Sequence, residues 1–340
     1  MPSSSLPKLS YVLLSHNREK YIRGAIESAF AQDYEGELEY IFSDDCSTDR
    51  TFEIIKECVA AYKGNRRVVV TQPPKNLHLA GNTNHAVQFV KSDWIIRADD
   101  DDYSAINRCS LIGNAIANNP GLSFVVTGVR YFTASEEESI LKESQKISVE
   151  PVLTNICSSE NTIFNCRKYS YKVWSIRTYN AFPPLPLEGY YVDDLTCYYR
   201  SRILGDSIYI EAPLVYARAE HDNMSSGGIA KAISYSDIIA LEKFNSKYHN
   251  LTLLPLIQLR NDIVRYANEI QTIVPTYILS EVEAEINHRR LLSTYWKKGI
   301  YNRLRIRRIL GYSGFFSLLR CLPLSVFAIL CSIYRKIRRK

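Results

Sequence analysis

Short apolar runs alternate with longer amphipathic ones through the first 130 residues of this 340-residue chain. Runs rich in β-branched and aromatic residues at Leu9–Ser15, Leu38–Ser43, Arg67–Thr71, Trp94–Ala98 and Ser123–Val129 predict strands, because such side chains fit a pleated surface. Apolar positions recurring every three or four residues predict helices over Arg18–Gln32, Arg50–Tyr62, Gly81–Lys91 and Ile106–Asn118. Ser47, Thr48 and Asp49 stand before the second helix, where their oxygens can accept from its open N–H groups. Strands and helices alternating at these lengths imply right-handed βαβ units, an α/β class and a mostly parallel sheet. From about Glu136 to Tyr190 the pattern loosens: Ile163–Trp174 predicts a strand and Phe182–Leu187, with three prolines, a loop. Val192–Ile203 then reads as a helix and Ser207–Ile210 as a strand. Residues 230–298 read as largely helical, with apolar steps around Ile233, Ile238, Leu241 and Phe244.

In an open parallel sheet, ligands bind beyond the carboxyl ends of the strands. Polar residues gather at those ends here. The first strand ends in Ser15-His16-Asn17 and the second in Asp44-Asp45-Cys46-Ser47-Thr48-Asp49, while the fourth runs into Asp99-Asp100-Asp101-Asp102. Four consecutive acids after a buried strand repel one another and take up protons unless something positive sits among them. A Mg²⁺ or Mn²⁺ ion shared with phosphate oxygens removes the conflict. Asp99 and Asp101 flank one residue, so an extended chain points both the same way, with Asp102 as an alternative ligand. The plainer reading of this run is a solvated acidic turn capping the helix at Ile106. Asp44 and Asp45 suit acceptance of a hydrogen bond from the imide N–H of uracil or thymine, or from guanine N1–H; helix capping is the plainer reading there.

Leu13 through Glu19 and Asp44 through Asp49 resemble the opening of the family 2 glycosyltransferases, which have the Rossmann-like GT-A fold. Asn76 followed by Asn84 resembles that family's next Asn-containing segment, and Ser92 through Asp102 its Asp-x-Asp segment. Gly189 through Leu195 resembles its Glu-Asp segment, and Leu214 through Ser225 the segment that closes over the donor phosphates. The likeness covers roughly residues 8–225, with His78 where the family often has Gly and Asp100 where a small residue is usual. The resemblance implies that Ser15, Asn17, Asp44 or Asp45, and Asn76 hold the nucleoside, with Arg97 and Asp100 beside the donor and Arg218 on a phosphate. It implies Asp99 and Asp101 as ligands of Mn²⁺ or Mg²⁺ on the diphosphate, with His221 as a further ligand or diphosphate contact. Asp194 becomes the general base and Asp193 its neighbour on the acceptor side, and transfer inverts the anomeric centre. His16, His78 and His85 read as structural or solvent-exposed.

The expected activity is therefore hexosyl transfer from a nucleotide-diphosphate sugar, UDP-sugars favoured, to a hydroxyl of a glycan or lipid-linked acceptor in cell-surface polysaccharide or glycolipid synthesis. A nucleotidyltransferase is one alternative, but it needs a Gly-rich basic loop near the first strand, which Ser15–Glu19 lacks. A catalytically silent nucleotide-sugar-binding or scaffold protein is another; it predicts loss of acids, yet Asp99, Asp101 and Asp194 are present.

Charge adds a tail to this picture. The net charge is +6, but Tyr301 to Lys340 carries ten Arg or Lys and no acid, which leaves 32 basic against 36 acidic residues before it. An acidic body excludes nucleic acid as the main partner. Within the tail, 14 residues separate Arg320 from Arg335, too few to span a bilayer as a helix. The basic flanks favour an anionic leaflet surface; docking on the catalytic body or on a partner subunit are the other readings. Eight cysteines at scattered positions, without metal-site spacing, suit free thiols in a reducing compartment. The polar Met1–Leu9 lacks a signal-peptide apolar core, so the expected location is cytoplasmic, at the inner membrane face. The expected organisation is a catalytic domain over 1–228 (donor half about 8–130, acceptor half about 131–228), a helical extension over 229–300, and the tail over 301–340.

Overall fold

The computed structural model describes residues 5–145, 153–155, 171–185, 187 and 193–218, together with helical residues at 253, 256–265, 279, 280, 282–284, 286, 287 and 290. The elements in chain order are β1 (Leu9–Ser15), α1 (Ile22–Phe30), β2 (Leu38–Asp44), α2 (Thr51–Ala61), β3 (Val68–Thr71), α3 (His78–Val87), β4 (Trp94–Asp99), β5 (Tyr103–Ser104), α4 (Arg108–Asn118) and β6 (Leu122–Phe132). After a turn of 3-10 helix follow α5 (Glu137–Ser144), β7 (Leu153–Asn155), β8 (Tyr171–Ser175), α6 (Arg177–Asn180), α7 (Asp193–Leu204) and β9 (Asp206–Arg218). One sheet runs in the order β3-β2-β1-β4-β8-β6-β9-β5, with β7 on β9.

The donor half is parallel as expected: β1 pairs with both β2 and β4, and β2 with β3. Beyond β4 the sheet is mixed. β8 lies antiparallel between β4 and β6, β9 runs parallel to β6, and β5 and β7 pair antiparallel with β9. Most paired residues are thus parallel, and the antiparallel pairings enter where β8 inserts between β4 and β6 and where β5 and β7 join β9.

Every residue of β1 and β2 is buried, as strands covered on both faces must be. Leu9, Tyr11 and Leu13 alternate onto the core with Tyr40 and Phe42, against Ile22, Ile26, Ile54 and Ile55 of α1 and α2. In α1 the buried positions are Ile22, Ala25, Ile26 and Ala29, a single apolar stripe at helical spacing. The opposite face of β2 presents Ser43 to α3.

The last strand is longer than its predicted four residues, because Pro213 interrupts the apolar pattern without ending the strand. The register of β6 on β9 shifts around Gly128, and a bulge is where a sheet tolerates proline. Gly128 makes the bulge possible: a Cβ there would stand 2.5 Å from the Ala212 carbonyl oxygen. Gly128→Ala is expected to destabilise by about 1–3 kcal/mol in urea unfolding. Gly121→Ala, whose new methyl meets only an Asp206 carboxylate oxygen at 3.3 Å, should stay near wild type. Equal stability of both variants would refute the packing argument. Past the bulge, β9 reaches β5, which pairs with it immediately after the acidic run.

The chain divides into two compact units, one of residues 1–187, 191–220 and 261–279 and the other of 188–190, 221–260 and 280–340. All described strands belong to the first unit. Leu256, Leu259, Ile263, Val282 and Ile286 are buried helical residues farther along. Residues 230–250 and the basic tail lie outside the described residues. Among the described residues no helix is long and apolar enough to cross a membrane, and Cys46, Cys58, Cys109 and Cys197 are free thiols.

Candidate active site

Register brings the predicted site residues together. Ser15 stands opposite Asp44, and Leu14 opposite both Ser43 and Asp99, so the β1, β2 and β4 ends meet at one edge of the sheet. Three non-glycine residues with left-handed backbone lie in the loops there: Asn17 (φ 54°), Cys46 (φ 55°) and His78 (φ 59°). Such conformations are uncommon outside glycine and cluster at ligand sites. His78 therefore occupies a position where glycine is at ease, and the neighbouring Asn76 stabilises it by accepting the His78 N–H at 3.0 Å.

The two acids after β2 have different surroundings. Asp44 is fully buried and accepts from Ser15 Oγ (3.3 Å), the Ser47 N–H (2.9 Å) and Gln72 Nε2 (2.8 Å). It organises its own loop. Asp45 accepts the Leu77 N–H at 2.7 Å, which joins the β2 loop to the start of α3, and burial pushes its carboxyl above the usual range. Asn17 Oδ1 accepts the Thr48 N–H at 2.8 Å. Asp49, one residue before the N-cap Arg50, accepts from the N–H of Thr51, the first residue of α2, at 2.9 Å, while Arg50 itself makes no side-chain cap.

His16, to which the sequence assigns no role in the site, cross-links these loops. Its Nδ1 lies 2.9 Å from the Asp45 carbonyl oxygen, so that nitrogen is the donor. Its Nε2 is then free to accept from the amides of Asn17 and Asn76, each at 3.2 Å. The His16 backbone N–H also donates to Asp100 at 2.9 Å. The sequence signal was its place between Ser15 and Asn17 at a strand end.

The acidic run lies beside two cations. Arg97 pairs with Asp99, two residues along the same strand face. Arg18, absent from the residues predicted for the site, lies 3.6 Å from Asp100 and 3.7 Å from Asp101. Asp102 accepts the Arg218 backbone N–H at 3.0 Å, which ties the run to the end of β9. The Arg218 side chain itself faces elsewhere. It is buried among the Tyr21, Phe132 and Tyr103 rings, with its centre 4.4 Å from the Tyr21 centroid, and donates to Glu137 at 3.0 Å and to Tyr103. That pairing holds the Glu137 carboxyl below its ordinary value. Reaching a phosphate, as expected for Arg218, would break this pair. Glu137 opens α5, a helix absent from the predicted elements although Thr133 and Glu136 form a capping box ahead of it.

Even with these cations the carboxylates are crowded. Burial and then the Asp101 charge push Asp100 well above the ordinary range, and burial and then Asp99 push Asp101 up to about 6. Among the described residues no three His, Cys, Asp or Glu side chains converge as a metal cage. The donor set is all hard carboxylate oxygen, however, and its mutual repulsion is what a divalent cation relieves, so it fits an ion held by one or two carboxylates and completed by phosphate. The linkage has a definite sign. Carboxyls that titrate higher in the folded chain stabilise it below about pH 4, and this is lost as the pH rises through about 6. Mn²⁺ is expected to raise the melting temperature near pH 7.5 and to have little effect at about pH 4.5, below the value of about 6 to which Asp101 is pushed. Scanning fluorimetry across this range checks it; the same Mn²⁺ shift at both pH values would place the ion elsewhere.

Asp193 and Asp194 are the first two residues of α7, which packs against α3, β6 and β8. Their side chains and His221 lie outside the described residues.

Residues 10–178 match the family model described as Glycosyl transferase family 2. EpsE of Bacillus subtilis (strain 168), which carries a glycosyltransferase name, is 37% identical over 101 residues, 30% of this chain and 35% of its own. The poly(ribitol-phosphate) β-N-acetylglucosaminyltransferase TarS of Staphylococcus aureus (strain Mu50) is 32% identical over 98 residues, 28% of this chain and 16% of its own. The sequence matches thus span about a third or less of these relatives. In structure, S. aureus TarS 1–349 superposes with a TM-score of 0.57 at 16% identity, over 94% of this chain and 82% of that one. The mannosyltransferase PcManGT from Pyrobaculum calidifontis, solved with GDP-Man and Mn²⁺, gives 0.54 at 12% identity, over 100% of this chain and 84% of that one. Residues 10–178 of this chain are accordingly a glycosyl transferase family 2 domain, built on the GT-A fold.

Proposed function

We propose that the protein is a divalent-metal-dependent glycosyltransferase that moves a sugar from a nucleotide-diphosphate donor to an acceptor hydroxyl with inversion. The observation that carries this reading is the crowded acidic turn at the end of β4, beside the loops joined by His16, in a chain with a family 2 domain. TarS has been solved with UDP-GlcNAc, and PcManGT with GDP-Man and Mn²⁺, which supports a nucleotide-sugar here.

In this proposal Asn17, Asp45 and Asn76 bind the nucleoside, with Ser15 and Asp44 holding the loop behind them. Asp99 and Asp101 would hold Mn²⁺ or Mg²⁺, with His221 as a further ligand, and the bound ion neutralises charge growing on the departing diphosphate. Arg18 and Arg97 add positive charge beside the same oxygens, and Asp100 keeps Arg18 there. Asp194, at the start of α7, takes the acceptor proton as its oxygen attacks the anomeric carbon, and Asp193 lines the acceptor side. A base facing the leaving nucleotide across the sugar gives one displacement and therefore inversion. The first test is calorimetric binding of UDP and GDP with and without Mn²⁺. Binding of one nucleotide, strengthened by Mn²⁺, supports the reading; no binding of either argues against it.

The acceptor in this proposal is a lipid-linked or growing surface glycan, met at the cytoplasmic face of a membrane. Its support is the basic tail, with ten cationic and no acidic residues from Tyr301 onward. The chain is expected to co-sediment with vesicles rich in anionic lipid at low salt, to be released by high salt, and to ignore zwitterionic vesicles. Removing residues 301–340 should abolish this; undiminished binding of the truncated chain would exclude the tail as the anchor.

A further inference from the structure

Two asparagines of α3 each make a paired hydrogen bond, and they reach different parts of the first unit. Buried Asn82 accepts from Ser43 Oγ and donates through Nδ2 to the Ser43 carbonyl at 3.0 Å, fixing the helix to the end of β2. Asn84 donates through Nδ2 to the Leu185 carbonyl at 2.8 Å, and its Oδ1 accepts the Leu185 N–H at 2.9 Å, across 101 residues of sequence. Two positions apart on a helix lie on nearly opposite sides. One side of α3 therefore holds the strand end and the other holds the loop at 181–187.

The Asn84 amide reproduces a rung of an antiparallel ladder, since it both donates to and accepts from the backbone of one residue. It satisfies the N–H and C=O of a buried loop residue that has no strand partner: Leu185 is 2% exposed and lies between prolines. The same loop approaches Gly81, where an added Cβ would stand 3.3 Å from Leu187 Cδ2. At its other contacts α3 belongs to the donor side. The Leu77 N–H before it donates to Asp45, and His85 Nε2 lies 2.7 Å from Thr71 Oγ1 at the end of β3. In sequence, α7 begins eight residues after Leu185, and it packs on α3.

We propose that Asn84 is a positioning residue that sets the loop at 181–187, and with it the start of α7, against the donor-side loops. This deepens the glycosyltransferase reading and rests on it for its catalytic consequence. The link runs from Asp45 through α3 to the loop that precedes Asp194 in sequence, so the Asn84 amide adds a directional bond to the packing of α7 on α3.

The test uses the full chain with Asn84→Ala and Asn84→Asp; the second keeps the shape but sets a carboxylate oxygen against the Leu185 carbonyl. Hydrogen exchange without ligand should show amides of 181–187 and early α7 exchanging at least about tenfold faster in both variants, with Ser43 and the rest of β2 unchanged. With Mn²⁺ and UDP-GlcNAc as probe, UDP affinity should hold within about twofold while release of UDP falls roughly 10²-fold. Unchanged exchange in the loop, or an equal loss of UDP affinity and turnover, overturns the proposal, the latter because it marks a merely structural residue. If the wild-type chain neither binds UDP nor releases it, the glycosyltransferase reading is what has failed, and the exchange measurement still decides whether Asn84 holds the loop.

Discussion

Asp101→Ala is expected to lower metal-stimulated release of nucleotide diphosphate by about 10³-fold or more, and at the same time to stabilise the metal-free protein above pH 6. The two effects have one cause. The Asp101 side chain is 10% exposed, with Asp99 and Asp100 as neighbours and Arg18 at 3.7 Å, and its carboxyl is pushed up to about 6. A group that resists ionisation in the folded chain weakens that chain once the pH forces the charge on it. Removing it relieves the repulsion and leaves Arg18 to Asp100. The rate falls because a carboxylate that would hold the ion on the diphosphate is gone, and charge building on the leaving nucleotide loses its counter-charge. A loss of about 10³ corresponds to about 4 kcal/mol of transition-state stabilisation. Melting curves and initial rates on one preparation check both signs. A variant that is less stable and less active would make Asp101 an ordinary structural residue.

The second large effect is expected at Asp194. Asp194→Asn should reduce turnover by about 10²–10⁴-fold, the usual contribution of a general base, with nucleotide affinity unchanged. Two carboxylates opening α7 also favour its N-terminus, each by about 0.3–1 kcal/mol. Asp193→Asn separates the roles, because it removes a similar helix-end charge from the neighbouring residue. Comparable losses of stability in the two variants, with a large rate loss only in Asp194→Asn, identify the base. Equal rate losses would mean that the pair acts through the helix end.

The donor half was legible because its signals are local. Continuous apolar runs gave β1, β2 and β4 within a residue of their ends, and the polar clusters after them fall at one sheet edge since parallel strands end on one side. The roles within each cluster were not legible. Asp44 and Asp45 are adjacent in sequence, yet one binds Ser15, Ser47 and Gln72 while the other joins its loop to α3. What separates them is the tertiary placement of β1, the end of β3 and the start of α3 around the loop. His16 could not be told from an ordinary surface histidine because its partners, Asp45 and Asn76, are 29 and 60 residues away. Arg218 stood in a phosphate-like context by sequence, but a cage of Tyr21, Tyr103 and Phe132 from three separated segments takes its guanidinium. The order β4-β8-β6 was likewise hidden, because local periodicity carries no information about which strand inserts between two others.

The most direct test of the central claim is release of nucleotide diphosphate from a panel of UDP-, GDP- and dTDP-sugars by the purified full chain with Mn²⁺ or Mg²⁺, in the presence of candidate glycan and lipid-linked acceptors. Release from one donor is expected, with its loss in the presence of a chelator and in Asp101→Ala and Asp194→Asn. Absence of release from every donor, together with no binding of any nucleotide-sugar, would contradict the claim.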